Sequence, residues 1–137
     1  MKHSQTSKKF FNACSTGKAA LVAEYIASGV DVDSRDQNNL TGLMWAARKG
    51  KIESAKVLIE NGAHLEATDN TGRTAVFHAV TYQRYEFVEF MASKGANLSP
   101  IDMHGWSPLD FSRCSRHKKM QRVLMDNGAE AQKYDSI

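Results

Sequence analysis

Apolar residues fall at Ile52, Ala55, Val57, Leu58 and Ile59, with Glu53, Lys56 and Glu60 in the gaps. That spacing predicts a helix with one broad apolar stripe, closed at Gly62, where a left-handed residue costs least without a β-carbon. A shorter stripe of Leu43, Ala46 and Ala47 precedes it, opened by Thr41 as a helix N-cap and stopped at Gly50. Between one helix pair and the next, "AHLEATDNTGR" alternates briefly and then turns at Asp-Asn-Thr-Gly, where Gly72 supplies the positive φ of a tight turn. The arrangement recurs at a step of 33 residues: Gly29, Gly62, Gly95 and Gly128; Asp36, Asp69 and Asp102; Thr41, Thr74 and Ser107. At the place of Gly72 stand Asn39 and Gly105, and Asn is the residue after Gly best able to adopt that conformation. A spacing held without insertion is an internal repeat.

Helices of two to three turns are marginal alone in water, so each pair must bury its apolar face on its neighbours. The pattern predicts a single all-α domain over 1–137: a solenoid of helix-turn-helix units with β-hairpin-like fingers, the units covering approximately 3–35, 36–68, 69–101 and 102–134. The first unit keeps Phe10, Ala13, Gly17, Val22, Tyr25 and Ile26 in phase but has Lys8 and Lys9 at the capping position. In the last, Lys118 and Gln121 replace apolar residues such as Ile52 and Ala55. The outer units therefore read as caps with a polar outer side, and Met1 to Ser7 and Gln132 to Ile137 as frayed ends.

The segments "TGLMWAA" (Thr41 to Ala47), "TAVFHAV" (Thr74 to Val80) and "SPLDFS" (Ser107 to Ser112) share one phase, each followed by a terminal Gly-Ala. This resembles the ankyrin repeat, whose signature includes Thr-Pro-Leu-His-x-Ala. Gly42 and Ala75 replace the proline, and Met44, Phe77 and Asp110 replace the histidine, so the family's Thr–His hydrogen bond is expected to be weakened.

Composition narrows the function classes. A formal charge of +3 and a pI near 8.9 are mild for a protein devoted to polyanions. No apolar run reaches bilayer length, which argues against a membrane partner, and Cys14 and Cys114 stand alone in phase, as suits a reducing compartment. A cytoplasmic location is expected, with export the alternative if a presequence has been removed. No cofactor is expected: "CSTGKAA" (Cys14 to Ala20) lacks the first glycine of a phosphate loop, and Cys114 with His117 lacks a second pair of zinc ligands. No carboxylate or nucleophile shares a phase with His78, so catalysis is not expected. The basic run Arg113, Arg116, Lys118, Lys119 and Arg122 reads as the solvated side of the last cap; a nucleic-acid site there is the disfavoured alternative.

The resemblance implies that first-helix residues beside the core stripe line a concave groove. These are Trp45, Arg48 and Lys49, then His78, Thr81 and Tyr82, then Phe111, Cys114 and Ser115. Finger positions flank them, among them Leu40, Arg73, Met103, His104 and Trp106. Trp, Tyr and Arg are the side chains that most often anchor protein interfaces. The expected function is non-catalytic binding of another protein by a chain that is monomeric when unbound, as an adaptor or as an inhibitor that blocks an enzyme. Packing of Trp45 and Phe111 between repeats is the competing reading.

Overall fold

The computed structural model describes residues 2–130. Eight helices follow one another within these residues: α1 (Lys2–Thr16), α2 (Ala19–Ala27), α3 (Gly42–Lys49), α4 (Ile52–Glu60), α5 (Ala75–Thr81), α6 (Tyr85–Ser93), α7 (Pro108–Cys114) and α8 (Lys118–Asp126). None is long and apolar enough to cross a membrane. The odd-numbered helices pack in a row, α1 on α3 on α5 on α7, and each is paired with the helix that follows it. Fingers join the pairs; the first is pinned at its base by an antiparallel bridge between Arg35 and Thr41.

Each pair closes in the same way. The first helix ends on a left-handed residue, Gly17, Gly50, Gln83 or Arg116, after which Lys18, Lys51, Arg84 and His117 donate their N–H back to the carbonyls of Ala13, Ala46, Ala79 and Ser112. Two of these four positions are not glycine, and at the two that are a neighbouring side chain takes up the space beside the Cα. The side chain of Lys51 lies against Gly17 and that of Arg84 against Gly50, each near enough to crowd an added β-carbon at 3.2 and 3.1 Å. Arg84 Nε also donates to the Arg48 carbonyl at 2.9 Å.

The helix starts differ from the expectation of a weakened cap. Thr41 Oγ1 accepts from Met44 N at 3.2 Å, and Thr41 N donates back to the Met44 thioether at 3.5 Å. Ser107 Oγ accepts from Asp110 N, while the buried Asp110 carboxylate accepts from Ser107 N at 3.0 Å. Met44 and Asp110 thus return the bond that the family's histidine would make. Only at Thr74 is the reciprocal half missing, because Phe77 has no acceptor to offer.

Small residues let the first helices approach closely. Ala13, Ala46, Ala47, Ala75 and Ala79 are all buried in the seam. Gly42 is the extreme case: a β-carbon there would stand 2.9 Å from Cys14 Sγ and 3.3 Å from the Phe10 ring. That contact, rather than backbone freedom, explains why the family's proline is absent at Gly42. A second set of bonds ties unit to unit on the far side, where Asp33 Oδ1, Glu66 Oε2 and Ser99 Oγ accept from the N–H of His64, Asn97 and Glu130 at 2.9, 2.8 and 2.7 Å.

At the N-terminus, where a frayed Met1 to Ser7 is expected, residues 2–7 form the first turns of α1 at the repeat phase of a finger. The frayed end expected at Gln132 to Ile137 lies outside the described residues.

Gly42→Ala is expected to destabilise the protein by about 1 kcal/mol, because overpacking at ~1–3 kcal/mol outweighs the helix propensity gained. Denaturant melts of Gly42→Ala, Cys14→Ala and the double variant test the contact, which predicts that the double variant is more stable than additivity allows. The two thiols should also separate cleanly. Cys14 is fully buried and burial pushes its pKa up to about 12, whereas Cys114 is exposed. A thiol reagent on native protein should label Cys114 well before Cys14.

Candidate functional site: the finger and first-helix face

Each finger is built on an aspartate. Asp36 Oδ1 accepts from Asn38 N and Leu40 N at 2.9 and 3.0 Å, Asp69 Oδ1 from Thr71 N and Arg73 N at 2.8 and 3.1 Å, and Asp102 Oδ1 from His104 N and Trp106 N at 2.9 and 3.0 Å. One oxygen thus satisfies two turn N–H groups that have no ladder partner, the local bonding for which Asp is favoured in turns. The left-handed residue follows at Asn39, Gly72 or Gly105.

The second oxygen reaches the helix behind the finger. Asp36 Oδ2 accepts from Trp45 Nε1 at 2.7 Å, and Asp69 Oδ2 meets His78 Nε2 at 2.8 Å. The equivalent residue in the next unit is Phe111, which has no donor; Asp102 Oδ2 instead pairs with Arg73 Nε from the preceding finger at 3.2 Å. Finger and helix are thereby tied together in the units of Asp36 and Asp69, and finger to preceding finger at Asp102. Neighbouring fingers are bonded too, by Met103 N to the Thr71 carbonyl at 2.9 Å and by Asn39 Nδ2 to Asn70 Oδ1 at 2.8 Å.

Two arginines lie in aromatic brackets across this face. The Arg48 guanidinium sits 4.8 Å from the Trp45 ring centre and 4.9 Å from that of Tyr82, and Arg48 Nη2 donates to the Tyr82 hydroxyl at 2.6 Å. Arg73 sits 4.3 Å from Phe77 and 5.4 Å from Phe111. Each bracket spans two units. Such contacts add about 0.5–1 kcal/mol at exposed sites, and they restrict side chains that would otherwise lose rotamer freedom on binding.

The expected site residues divide on accessibility. Tyr82, Met103, His104 and Lys49 are exposed, Met103 by 65%, and Arg48, Arg73, Trp45, Trp106 and Phe111 are half-buried. Trp45 and Phe111 also pack on the core, so they serve both the seam and the face. Two expectations are corrected. Leu40 is 5% exposed and belongs to the core beneath the first finger, and His78 is 8% exposed with its outer nitrogen taken by Asp69. Both side chains are buried rather than on the open surface. Arg84 and Arg35 belong to this region as well and were missed: Arg35 Nη1 donates to the carbonyls of Asn39 and Thr68 at 3.1 and 2.8 Å, tying one finger base to the next.

Titratable groups follow the same geometry. Burial holds the His78 pKa below its ordinary value, with the Arg48 and Arg73 charges acting in the same direction, against the raising influence of Asp69. For Asp69, burial works upward, but the hydrogen bonds from the Thr71 hydroxyl and from the Arg73 and Thr71 N–H groups, with His78 nearby, leave it below the ordinary carboxylate value. A neutral His78 must carry its proton on Nε2, since the ionised carboxylate can only accept. Among the described residues no group of three or more His, Cys, Asp and Glu side chains is arranged to hold a metal ion.

The family model for ankyrin repeats, in three copies, matches residues 10–102, and the chain belongs to the ankyrin repeat family. Ankyrin repeats are in general protein–protein interaction modules and are typically non-catalytic. No curated protein matches the sequence. Beyond residue 102 the pair α7 and α8 keeps the family's local features, with Ser107 as N-cap, Pro108 in the first turn and left-handed Arg116 and Gly128.

Because the folded state holds His78 below its unfolded pKa of about 6.5, the neutral form contributes stability that is complete above that pH and is lost as pH falls through the lowered value. Asp69 is held below the ordinary carboxylate value and is ionised in both states above pH ~5. Thermal melts at pH 7.5 and 5 should show a larger loss for the wild type than for His78→Gln, which keeps a donor toward Asp69 and does not titrate. Parallel losses would remove His78 as the cause.

Proposed function

We propose that the four units, approximately 3–35, 36–68, 69–101 and 102–134, act as one domain that binds another protein through the face shared by the fingers and the first helices. Arg48, Lys49, Arg73, Tyr82, Met103, His104 and Trp106 form the contact surface, and the accessible edges of Trp45 and Phe111 complete it. The observation that supports this reading is the pair of aromatic brackets, Arg48 between Trp45 and Tyr82 and Arg73 between Phe77 and Phe111, which leave both arginines half-buried beside the exposed Tyr82. Residues of these types dominate measured interface energies, and pre-ordering lowers the entropy lost on association. The protein is read as a non-catalytic monomer before binding.

The exposed Met103 on a finger held by Asp102 favours a more specific version of this reading, in which a finger enters the mouth of an enzyme and inhibits it. On that version the retained partner is an enzyme whose activity falls with stoichiometric addition of this chain. The C-terminal basic side chains Arg113, Arg116, Lys118, Lys119 and Arg122 are exposed, none of them belongs to either bracket, and Lys119 is engaged over the Tyr85 ring at 4.4 Å.

The test is affinity capture of the partner, followed by calorimetric titration of variants. Trp106→Ala and Arg48→Ala should each weaken binding by about 2 kcal/mol or more, as interface anchors do, with melting behaviour close to wild type for Trp106→Ala. Lys118→Glu with Lys119→Glu should change affinity little. Binding that survives the first two changes and disappears with the lysine changes, with a steep dependence on salt, would move the site to the C-terminal cap and favour nucleic acid.

A further inference from the structure

Because α1 runs as an unbroken helix through the place of a finger, the first true finger has no finger on its outer side. A cavity of about 430 Å³ opens there between α1 and the finger base, with Phe11 and Trp45 among its walls and Lys8, Arg35, Asn12 and Ser15 around them. We infer that this cavity is an anchoring subsite for an aromatic side chain flanked by carboxylates, carried on an extended acidic segment of the partner protein. The assignment rests on the protein-binding reading above and names the chemistry of the partner.

Shape supplies the first argument. The volume lies near the lower end of the ~300–1,000 Å³ typical of ligand pockets, enough for one large side chain and too little for a docked helix. Two aromatic residues of the wall, one from α1 and one from α3, offer edges and faces to a flat ring, the geometry aromatic pairs favour.

Charge supplies the second. Asp36 is the lining carboxylate, and its charge is already shared among Asn38 N, Leu40 N and Trp45 Nε1. Lys8 and Arg35 are exposed, and neither they nor Arg48 and Lys49 farther along the face has a carboxylate within ion-pair reach among the described residues. The second helices are mixed in sign: α4 and α6 expose Glu53, Glu60, Glu86 and Glu89 beside Lys56, and α8 exposes Lys118, Lys119 and Arg122. The basic character at the cavity is therefore local, set by Lys8 and Arg35 in a molecule whose net charge is only +3. A basic segment would be repelled at the cavity, whereas an acidic one is steered toward it.

The experiment uses the full chain, ¹⁵N-labelled, and three synthetic pentapeptides: Glu-Asp-Phe-Glu-Glu, Glu-Asp-Ala-Glu-Glu and Lys-Lys-Phe-Lys-Lys. The indole N–H signals of Trp45 and Trp106 report on the cavity and on the last finger in one spectrum. Saturable shifts at Trp45, Asn12 and Ser15 are expected with the acidic Phe peptide, with affinity at least about tenfold lower for the Ala peptide and no saturable effect of the Lys peptide. Lys8→Glu, at an exposed position, should melt as the wild type does and weaken the acidic Phe peptide about fivefold or more. Equal response to the Lys and Glu peptides, or no saturable shift at Trp45, overturns the assignment. Shifts confined to Tyr82, Arg48 and Trp106 overturn the cavity while leaving the protein-binding face in place. If captured partner is lost with Lys8→Glu but not with Trp106→Ala, the cavity stands and the finger contribution falls.

Discussion

A carboxylate repeated every 33 residues holds the working face together. Asp36, Asp69 and Asp102 each use one oxygen to close a finger turn and the other to reach Trp45, His78 or Arg73. A finger lacks the ladder of a sheet, and its turn N–H groups would otherwise rely on water. One short side chain therefore sets the shape of the finger and, at Asp36 and Asp69, ties it to the helix behind it. The variation in the second partner follows from what the first helix offers: an indole, an imidazole, or, where Phe111 offers nothing, a guanidinium borrowed from the finger before. That last substitution couples two units and orders Arg73 over Phe77 and Phe111.

The stacking of units is distributed over several weak links rather than one deep core. Small residues bring the first helices together, and the side-chain acceptors Asp33, Glu66 and Ser99 receive backbone N–H groups from the following unit. Each net bond contributes only about 0.5–1.5 kcal/mol, so no unit is secure without its neighbours. The proposed binding face inherits this dependence. Arg48 is bracketed by residues of two different helix pairs, so its position reports the register between them.

The period, the helix pairs, the N-caps at Thr41, Thr74 and Ser107 and the finger turns were legible because each rests on local chemistry at a fixed phase. Harder to read were the features that depend on what stands opposite. Gly42 looked like a departure from the family signature until Cys14 and Phe10 appeared within contact of it. His78 falls on the helix stripe expected to face a partner, yet Asp69 draws its ring inward; the repeated aspartate was visible, but not the direction of its second oxygen. Leu40 shares a phase with Arg73 and Trp106, and its burial reflects the space beneath the first finger rather than its own spacing. The acceptors at 33, 66 and 99 also keep the 33-residue step, a signal concealed by the change of residue type from Asp to Glu to Ser. The cavity beside Trp45 was not legible at all, since it arises from the helical extension of α1 into a finger's place.

Amide hydrogen exchange on Asp36→Ala, Asp69→Ala and Asp102→Ala tests most directly the claim that these carboxylates hold the face. The account predicts a local loss of protection in each variant, at Leu40, Arg73 or Trp106 respectively. For Asp69→Ala the loss extends to Met103, whose N–H is bonded to Thr71, while buried amides of the second helices such as Leu58 and Met91 keep theirs. Finger amides as protected in the variants as in the wild type would contradict it.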